Sequence, residues 1–484
     1  MKAKAFLTKL FGAEGENRIA AKGGSYSVAL TAIVLAILVA VNVFADALPT
    51  HLTKYDISAS KLYSVTGNTK SVLNALEDDI TIYWVVQSGE EDEIIENLLD
   101  KYAALSSRIT IEKKNPDIYP TFAAQYTDSA VNNNSLIVEC GEKYRYIDYS
   151  DIYVSDVGLA SYSAVYSFDG EGAITSAIDY VTLEALPKVY SLTGHGEAAL
   201  PDNFSAQLER ENMSLEEISL LKEDEIPPDA ASVLIYAPAS DISSAERDML
   251  ADYVDNGGKL MIMSGGTDGG TLENLASLIG EYGISVTDGM VVEQDREHYA
   301  LGAPVVLLPD VTESDITQPI IDSKYYIIVP LAQGLDIGES TRGEVTALLT
   351  TSDTAFSKKA GYAMTSYDKA EDDTNGPFAL GVDIKNESGG EIIYFASSSM
   401  LDTLYNAYSS GANLDLAMNA LSSLAGESEA VSIRTKSLSY DYLTISDSSA
   451  ASLKTLMIGI IPAGVVLCGV IMILERRKRR NEQG

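Results

Sequence analysis

Cysteine and histidine, two residue types common in enzyme and metal sites, are scarce in this chain of 484 residues. It has two cysteines, Cys140 and Cys468, so the fold does not rest on disulfides as small secreted proteins do. Three histidines are too few for a histidine-rich metal site, and we expect no metal and no cofactor. The sequence has no G-x-x-x-x-G-K-[ST] phosphate-binding loop, no G-x-S-x-G nucleophile elbow and no H-E-x-x-H zinc helix. We therefore do not expect the chain to hydrolyse ATP by itself.

Basic residues are scarce outside the two ends of the chain. There are 34 Lys and Arg against 70 Asp and Glu, which gives a net charge of −36. Residues 1–26 and 475–484 each hold five basic against two acidic residues, so the region between them is even more acidic than the whole. Affinity for nucleic acid comes mainly from Lys and Arg on phosphates, so nucleic acid is not an expected partner.

Two uncharged apolar runs, 28–44 and 456–474, lie just inside the basic ends. At about 1.5 Å of rise per residue, each has nearly the length that crosses the hydrocarbon core of a bilayer. Basic flanks favour the cytoplasmic side. The sequence therefore predicts a two-pass plasma-membrane protein with both termini in the cytoplasm and a large extracellular region. The alternative for the first run is a cleaved signal peptide, because Ala45-Asp46-Ala47 resembles a cleavage site.

Composition and pattern divide the chain into seven segments. Two tails and two transmembrane helices enclose two α/β domains and a Ser-rich strap. The predicted bounds are 1–26 for the first cytoplasmic tail, 27–47 for the first transmembrane helix, 48–186 for the external N-terminal α/β domain, 187–426 for the second external α/β domain, 427–454 for the juxtamembrane strap, 455–474 for the second transmembrane helix and 475–484 for the second cytoplasmic tail.

The first external domain is predicted to be a small α/β domain of thioredoxin-like size. A strand at 79–86, a helix at 90–105 and a strand at 108–112 form one β-α-β unit. The pattern at 135–140 and 143–149 is typical of a hairpin. No C-x-x-C pair accompanies these elements, so thiol redox chemistry is not expected.

The second external domain alternates apolar strands with amphipathic helices. This order is typical of a doubly wound, flavodoxin-like parallel sheet. Ser243 or Ser244 is placed to begin one helix, with Glu246 closing a capping box. The predicted strands are 188–192, 232–237, 259–263, 325–329, 344–349, 378–382 and 391–395, and the predicted helices are 204–212, 243–255, 272–282 and 414–424.

Three loops that follow strands of this sheet hold the candidate ligand-binding residues. Open α/β sheets bind ligands at the carboxyl ends of their strands. Glycines there allow close backbone approach, and Glu197 is placed to orient the imidazole of His195. The alternative is that His195 only caps its turn and packs against the following helix. The candidates are Gly194, His195, Gly196 and Glu197 in the first loop, Ser264, Gly265, Gly266 and Thr267 in the second, and Ser397 and Ser398 in the third.

The phrase YSLTGHGE at 190–197 resembles the GldG family, the auxiliary component of gliding-associated ABC-type transport systems. LYSVT at 62–66 and the basic run RRKRR at 476–480 are similar to the same family. The stretch from LIYAP at 234–238 to YVDNGGKL at 253–260 is similar to its external glutamine-amidotransferase-like domain. The resemblance implies an anchored external subunit that works with a separate permease and ATPase. It gives no catalytic residues, and an amidotransferase-like crevice would need a cysteine after one of its strands.

The expected function is that of a membrane-anchored, non-enzymatic auxiliary subunit of an ABC-type transport system. Its partners would be an ABC permease, a separate ATPase subunit and the membrane, and its external region would bind cargo, cell-wall material or a partner. The alternative is a membrane-anchored hydrolase or transferase that uses a crevice formed by His195 and Glu197. A sensor ranks behind both, because the short cytoplasmic tails carry no signalling domain.

Overall fold

The structure is a computed structural model, and it describes residues 29–43, 62, 64–157, 164–223, 225–266, 271–426, 433, 436–438, 454–464, 466–467, 469–471 and 474. The chain separates into two compact units, Met1–Ser437 and Leu438–Gly484. The sheets that the described residues form all lie in the first unit.

Helical residues lie near both ends of the chain. Residues 29–43 form a helix with exposed side chains, and residues 454–464 are also helical, with a π-helical turn at Leu456–Ile460. Across the part of the chain that the structure describes, no helix combines the length and the apolar character that a membrane span needs. The predicted transmembrane helices, 27–47 and 455–474, extend outside that part, so they stay predictions.

The N-terminal region has a small α/β fold. Its elements are α1 (Gly67–Asn74), β1 (Ile80–Val85), α2 (Glu93–Leu105), β2 (Ile109–Lys114), β3 (Ser135–Cys140), β4 (Lys143–Ile147), α3 (Tyr149–Ile152), β5 (Tyr153–Val157), β6 (Ala164–Phe168) and α4 (Gly170–Thr182). A four-stranded sheet has the order β2-β1-β3-β4. Strands β1 and β2 are parallel and joined by α2, and β3 and β4 form an antiparallel hairpin, so both predicted units are confirmed.

The following region is larger and also mixes strands with helices. Its elements are β7 (Lys188–Leu192), α5 (Asp202–Arg210), β8 (Ser214–Ile218), β9 (Ala230–Tyr236), α6 (Ser244–Asp255), β10 (Lys259–Met263), α7 (Glu273–Gly280), β11 (Ile284–Thr287), β12 (Met290–Val292), β13 (Val306–Leu307), β14 (Asp310–Val311), α8 (Gln318–Ser323), β15 (Val329–Pro330), β16 (Gly334–Ile337), β17 (Gly343–Thr350), β18 (Phe356–Lys358), β19 (Thr374–Asn375), β20 (Ala379–Asn386), β21 (Glu391–Phe395), α9 (Thr403–Tyr408) and α10 (Ala412–Leu424). A short strand, β22 (Lys436–Ser437), returns to pair with β6.

Ten strands form the main sheet of this region. Five of them, in the order β8-β7-β9-β10-β21, are parallel to one another. The other five join through antiparallel pairings, beginning where β20 pairs with β21. The turn at 387–390 is long enough to join antiparallel neighbours, whereas parallel neighbours need a crossover. The predicted parallel sheet is therefore confirmed for one half of the sheet and wrong for the other, where the sheet is mixed.

The parallel half of the sheet is buried on both faces. Alternate residues of β10 point to opposite sides. Met261 and Met263 belong to the core that includes residues of α5 and α10, whereas Leu260 and Ile262 belong to the core that includes residues of α6 and α7. Helices therefore cover both faces, as in a doubly wound fold, and the carboxyl ends of the parallel strands meet at one edge.

The strand predicted at 325–329 is wrong in most of its length. Only Val329–Pro330 forms a strand, as β15. Tyr326 is 75% exposed and Tyr325 is also exposed, so this aromatic pair does not fill a buried strand position. The β-propensity of aromatic residues is realised only where neighbouring strands pack against them.

Candidate functional site

The turn that holds His195 follows β7. The carboxylate of Glu197, which lies in the same turn, closes it through hydrogen bonds to the backbone. Gly194 and Gly196 have φ of +128° and +74°, a backbone region that favours glycine. Glu197 Oε2 accepts the backbone N–H of Gly194 at 3.0 Å and that of His195 at 2.8 Å. The two glycines therefore let the chain curl around Glu197, and the resulting turn satisfies its own donors.

The side chain of His195 is buried between two carboxylates. It is 6% exposed. Its Nδ1 lies 3.1 Å from Glu197 Oε1, and its Nε2 lies 3.1 Å from Glu246 Oε2. The first contact confirms that Glu197 is placed to orient the imidazole. The second was not predicted, because Glu246 lies 51 positions away, on helix α6.

Glu246 has a second role at the start of α6. Ser243 is the N-cap residue, and the structure confirms the predicted capping box between Ser243 and Glu246. Burial raises the pKa of Glu246, but the Ser243 N–H and hydroxyl and the nearby His195 outweigh it, so the pKa falls below its usual value. The carboxylate form is thus favoured beside the imidazole.

These contacts limit what His195 can do chemically. A neutral imidazole has one N–H donor, so only the doubly protonated ring donates to both carboxylates. Each nitrogen faces a carboxylate oxygen within the protein, and neither nitrogen points to open space. The contact with Glu246 fastens the turn to the start of α6, whereas the predicted alternative named the following helix, which is α5.

The two serine loops lie together at the carboxyl ends of β10 and β21. Ser264 donates its N–H to the Phe395 carbonyl at 3.0 Å. A Cβ added at Gly265 would lie 3.8 Å from Cα of Ser397. Burial raises the pKa of Tyr394, next to these loops, to about 12, although the Ser264 side chain hydrogen-bonds to it. Thr267 lies outside the described residues.

A segment of the chain itself covers these serine loops. The Ser397 hydroxyl donates to the Pro330 carbonyl, and the Gln333 N–H donates to the Ala396 carbonyl at 3.1 Å. The side chain of Gln333 also lies beside Gly266, where an added Cβ would be 3.6 Å from its Cγ. Residues 329–334 therefore occupy the space that the sequence assigned to a ligand.

The remaining candidates do not join into one site. The Ser398 carbonyl accepts a hydrogen bond from Tyr236 at 3.5 Å. The His195 carbonyl accepts from the N–H groups of Ala239 and Ser240, which follow β9. The hydrogen bonds of the His195 turn thus go to its own residues, to β8, to the loop after β9 and to Glu246 on α6, whereas those of the serine loops go to one another, to Tyr236 and to segment 329–334.

Cys140 ends strand β3 of the N-terminal sheet, away from these loops. Burial is the main cause that raises the pKa of its thiol above the usual value. A thiol of raised pKa is a poor nucleophile at neutral pH. The structure thus agrees with the sequence in placing this cysteine apart from the strand-end crevice.

Two families match parts of the chain. Residues 186–420 match a family described as an ABC-type uncharacterized transport system. Residues 59–155 match a domain family of unknown function. Among curated proteins, none matches the chain.

Several solved structures are similar to parts of the chain at low identity. The N-terminal domain of mmIFT52 is 17% identical, with a TM-score of 0.36 over 49% of this chain and 97% of that chain. PurLQS from Thermotoga maritima is 11% identical, with a TM-score of 0.25 over 49% of this chain and 99% of that chain. The exo-beta-1,4-mannosidase Op5Man5 from Opitutaceae bacterium strain TAV5 is 11% identical, with a TM-score of 0.27 over 70% of this chain and 49% of that chain.

These TM-scores are too low to transfer a fold or a function. The match over residues 186–420 covers the sheet, the His195 turn and the serine loops. The match supports a relationship between this chain and the general family of auxiliary proteins of ABC-type transport systems.

Proposed function

We propose that this protein is a membrane-anchored auxiliary subunit of an ABC-type transport system, of the GldG type. Its external region would be non-catalytic and bind cargo, cell-wall material or a partner. The family match over residues 186–420 is the observation that carries the proposal. The two apolar runs with basic flanks support the anchoring, and the missing phosphate-binding loop assigns ATP hydrolysis to a separate subunit.

The contacts of the strand-end residues support a non-catalytic external region. General base catalysis needs a nitrogen or oxygen within reach of the substrate proton. Both nitrogens of His195 face carboxylates, and the Ser397 hydroxyl donates to the Pro330 carbonyl. In this arrangement, neither the imidazole nor the hydroxyl is available to react with a substrate.

A pull-down from the native membrane tests the proposal. The tagged full chain is purified in a mild detergent, and its partners are identified by mass spectrometry. We expect a multi-spanning permease and an ATPase with a phosphate-binding loop, in amounts near those of the chain. A chain that purifies alone, where known transporters stay intact, would overturn the proposal. As a control, both apolar runs are replaced by unrelated transmembrane helices, which separates docking through the membrane from docking through the external region.

The predicted topology has its own test. Cys140 and Cys468 are both changed to Ser, and a single cysteine is introduced at Asp248, which lies on the exposed side of α6. In intact cells, a maleimide that does not cross membranes should label this cysteine. A second variant with its cysteine at Asn481 should be labelled only after the cells are opened. The opposite pattern would contradict the proposed orientation.

The second candidate function is a membrane-anchored hydrolase or transferase that uses His195 and Glu197. The position of these residues beyond β7, where open α/β sheets bind ligands, is the observation in its favour. Any hydrolytic activity of the purified chain should then fall steeply in His195→Ala. Activity that survives this change would remove the candidate.

A further inference from the structure

A cleft of about 730 Å³ lies between the N-terminal region and helix α5. Its walls are formed by α1, β4, α4 and α5, and Ile433 also contributes. A volume of this size is typical of sites that hold small organic ligands. The cleft is separate from the His195 turn and from the serine loops, because none of their residues lines it.

Acidic groups outnumber basic groups in the walls of the cleft. Two guanidinium groups, those of Arg145 and Arg210, face four carboxylates. The four carboxylates are those of Asp151, Asp169, Asp179 and Glu211. The excess of negative charge favours a ligand with positive charge.

Both guanidinium groups already have partners in the protein. Arg210 forms an ion pair with Asp169. Arg145 donates from Nη1 to Asn212 Oδ1 at 2.5 Å, and its guanidinium lies 4.9 Å from the ring centroid of Tyr180. Each guanidinium group therefore already has a partner in the wall, and Asp169 neutralises the charge of Arg210.

Asp169 keeps acceptor capacity that the described residues do not use. The Asp169 side chain is 3% exposed, and its Oδ1 has no hydrogen-bond partner among the described residues. Asp179 accepts from Asn212 at 2.8 Å through Oδ2. Burial raises the pKa of Asp179 above its usual value, although Asn212 and Arg145 oppose that rise. A protonated amine beside these two carboxylates would supply the missing donor and the missing positive charge.

Part of the remaining wall of the cleft is aliphatic, beside polar side chains. Val72 and Leu76 line it on the side of α1, and Val154, Leu183 and Ile433 line it elsewhere. Carbon chains between amino groups would pack against these side chains, as the stems of lysines pack on apolar surfaces.

We propose that this cleft binds a small aliphatic amine, with its amino groups at Asp169 and Asp179 and its carbon chain along α1. This inference deepens the proposed function, on which it rests, because it gives the ligand class of the external region. The site is also next to both ends of that region, since α1 follows residues 64–66 and Ile433 precedes β22.

Calorimetry on the detergent-purified full chain tests the inference, with spermidine as the probe at about 0.15 M salt. We expect one saturable site per chain. Triethylene glycol, a neutral chain of similar length, should not bind, and citrate should neither bind nor compete. Citrate that binds in the cleft would overturn the inference, because the arginines would then select the ligand.

Variants separate the cleft from the acidic surface, since a polycation binds loosely to any chain of net charge −36. Asp179→Asn keeps the shape and should weaken spermidine binding about tenfold or more. Ala75→Trp, at an exposed position in the wall, should block the cleft without disturbing the core. The matched control is Asp248→Asn on α6, which should bind as the original chain does.

The outcomes are distinct. Absence of saturable spermidine binding, or binding that both cleft variants retain, would overturn the inference. Thermal unfolding tests whether each variant is folded. If Asp179→Asn is not folded, Ala75→Trp alone tests the cleft. The pull-down result is independent of this assay, so a failed amine site and a failed transport role can be told apart.

Discussion

Lys436 and the buried Glu171 form an ion pair that joins two segments far apart in the sequence, residues 64–69 and the short strand β22. Lys436 Nζ lies 2.9 Å from Glu171 Oε2 and also donates to the Ser64 carbonyl at 2.5 Å. Glu171 Oε1 accepts the Thr66 N–H at 2.5 Å and the Thr69 hydroxyl at 2.7 Å. One carboxylate at the start of α4 therefore holds both segments that lead towards the apolar runs of the chain.

Breaking this pair should strongly destabilise the fold. The Glu171 and Lys436 side chains are 2% and 14% exposed, so water cannot replace a lost partner. Glu171→Gln and Lys436→Met should each lower the free energy of unfolding by about 3–5 kcal/mol, as expected for a buried charge left without its partner. The loss in the double variant should be smaller than the sum of the two, and urea unfolding of all four chains measures the cycle.

A surface ion pair provides the control for this cycle. Arg108 and Asp79 lie 3.0 Å apart, but their side chains are 48% and 82% exposed. Arg108→Met should therefore cost no more than about 1 kcal/mol. If Glu171→Gln costs as little as Arg108→Met, the pair does not fasten the two segments.

The contact between Glu246 and His195 should appear in the acid stability of the protein. The pKa of Glu246 is lowered in the folded state from an ordinary value of 4.5. Its contribution to stability is therefore present above pH 4.5 and is lost as the pH falls through the lower, folded value. Glu246→Gln should cost about 1–3 kcal/mol at pH 7, and the difference from the original chain should shrink below pH 4.5.

Urea unfolding between pH 3 and 7 measures this difference. Glu209→Gln is the control, because Glu209 is exposed on α5 and should show no such pH dependence. A constant difference between Glu246→Gln and the original chain across this range would show that the carboxylate is not held ionised by its partners.

The elements with strong local patterns were predicted well. Strand β21 has the predicted bounds, and the hairpin of β3 and β4 and the capping box of α6 are confirmed. In each case the signal lies within a few residues of the chain. By contrast, the predicted strands do not include β8, whose sequence SLEEI contains exposed glutamates. This segment is a strand because it pairs with β7. Such pairings depend on residues far apart, which periodicity does not report.

The candidate site was predicted only in part for the same reason. The serine loops lie together because the carboxyl ends of neighbouring parallel strands meet at one edge. The cover formed by residues 329–334 was not predicted, since Ser397 and Pro330 are 67 positions apart. The sequence predicts the capping-box contact of Glu246, because Ser243 is only three positions away. It does not predict the contact of Glu246 with His195, because these residues are 51 positions apart.

The last prediction concerns Asp383, which lies on β20 beside Glu391 of β21. Burial, followed by the negative charge of Glu391, raises the pKa of Asp383 to about 6, against the opposing effect of Lys385. Its Oδ1 has no hydrogen-bond partner among the described residues. The folded protein therefore holds this proton more tightly than the unfolded chain, so stability falls as the pH rises from 3.8 to about 6. Asp383→Asn should remove that loss.

We expect Asp383→Asn to raise the free energy of unfolding by about 1–3 kcal/mol at pH 8, because the amide carries no charge to bury beside Glu391. At pH 4 the gain should nearly vanish, since Asp383 is then mostly protonated in the folded state. Urea unfolding at the two pH values measures both. Asp336→Asn, on the neighbouring antiparallel strand β16 and exposed, is the control and should change neither value. A gain of equal size at pH 4 and pH 8 would mean that the effect arises from packing and not from charge repulsion between Asp383 and Glu391.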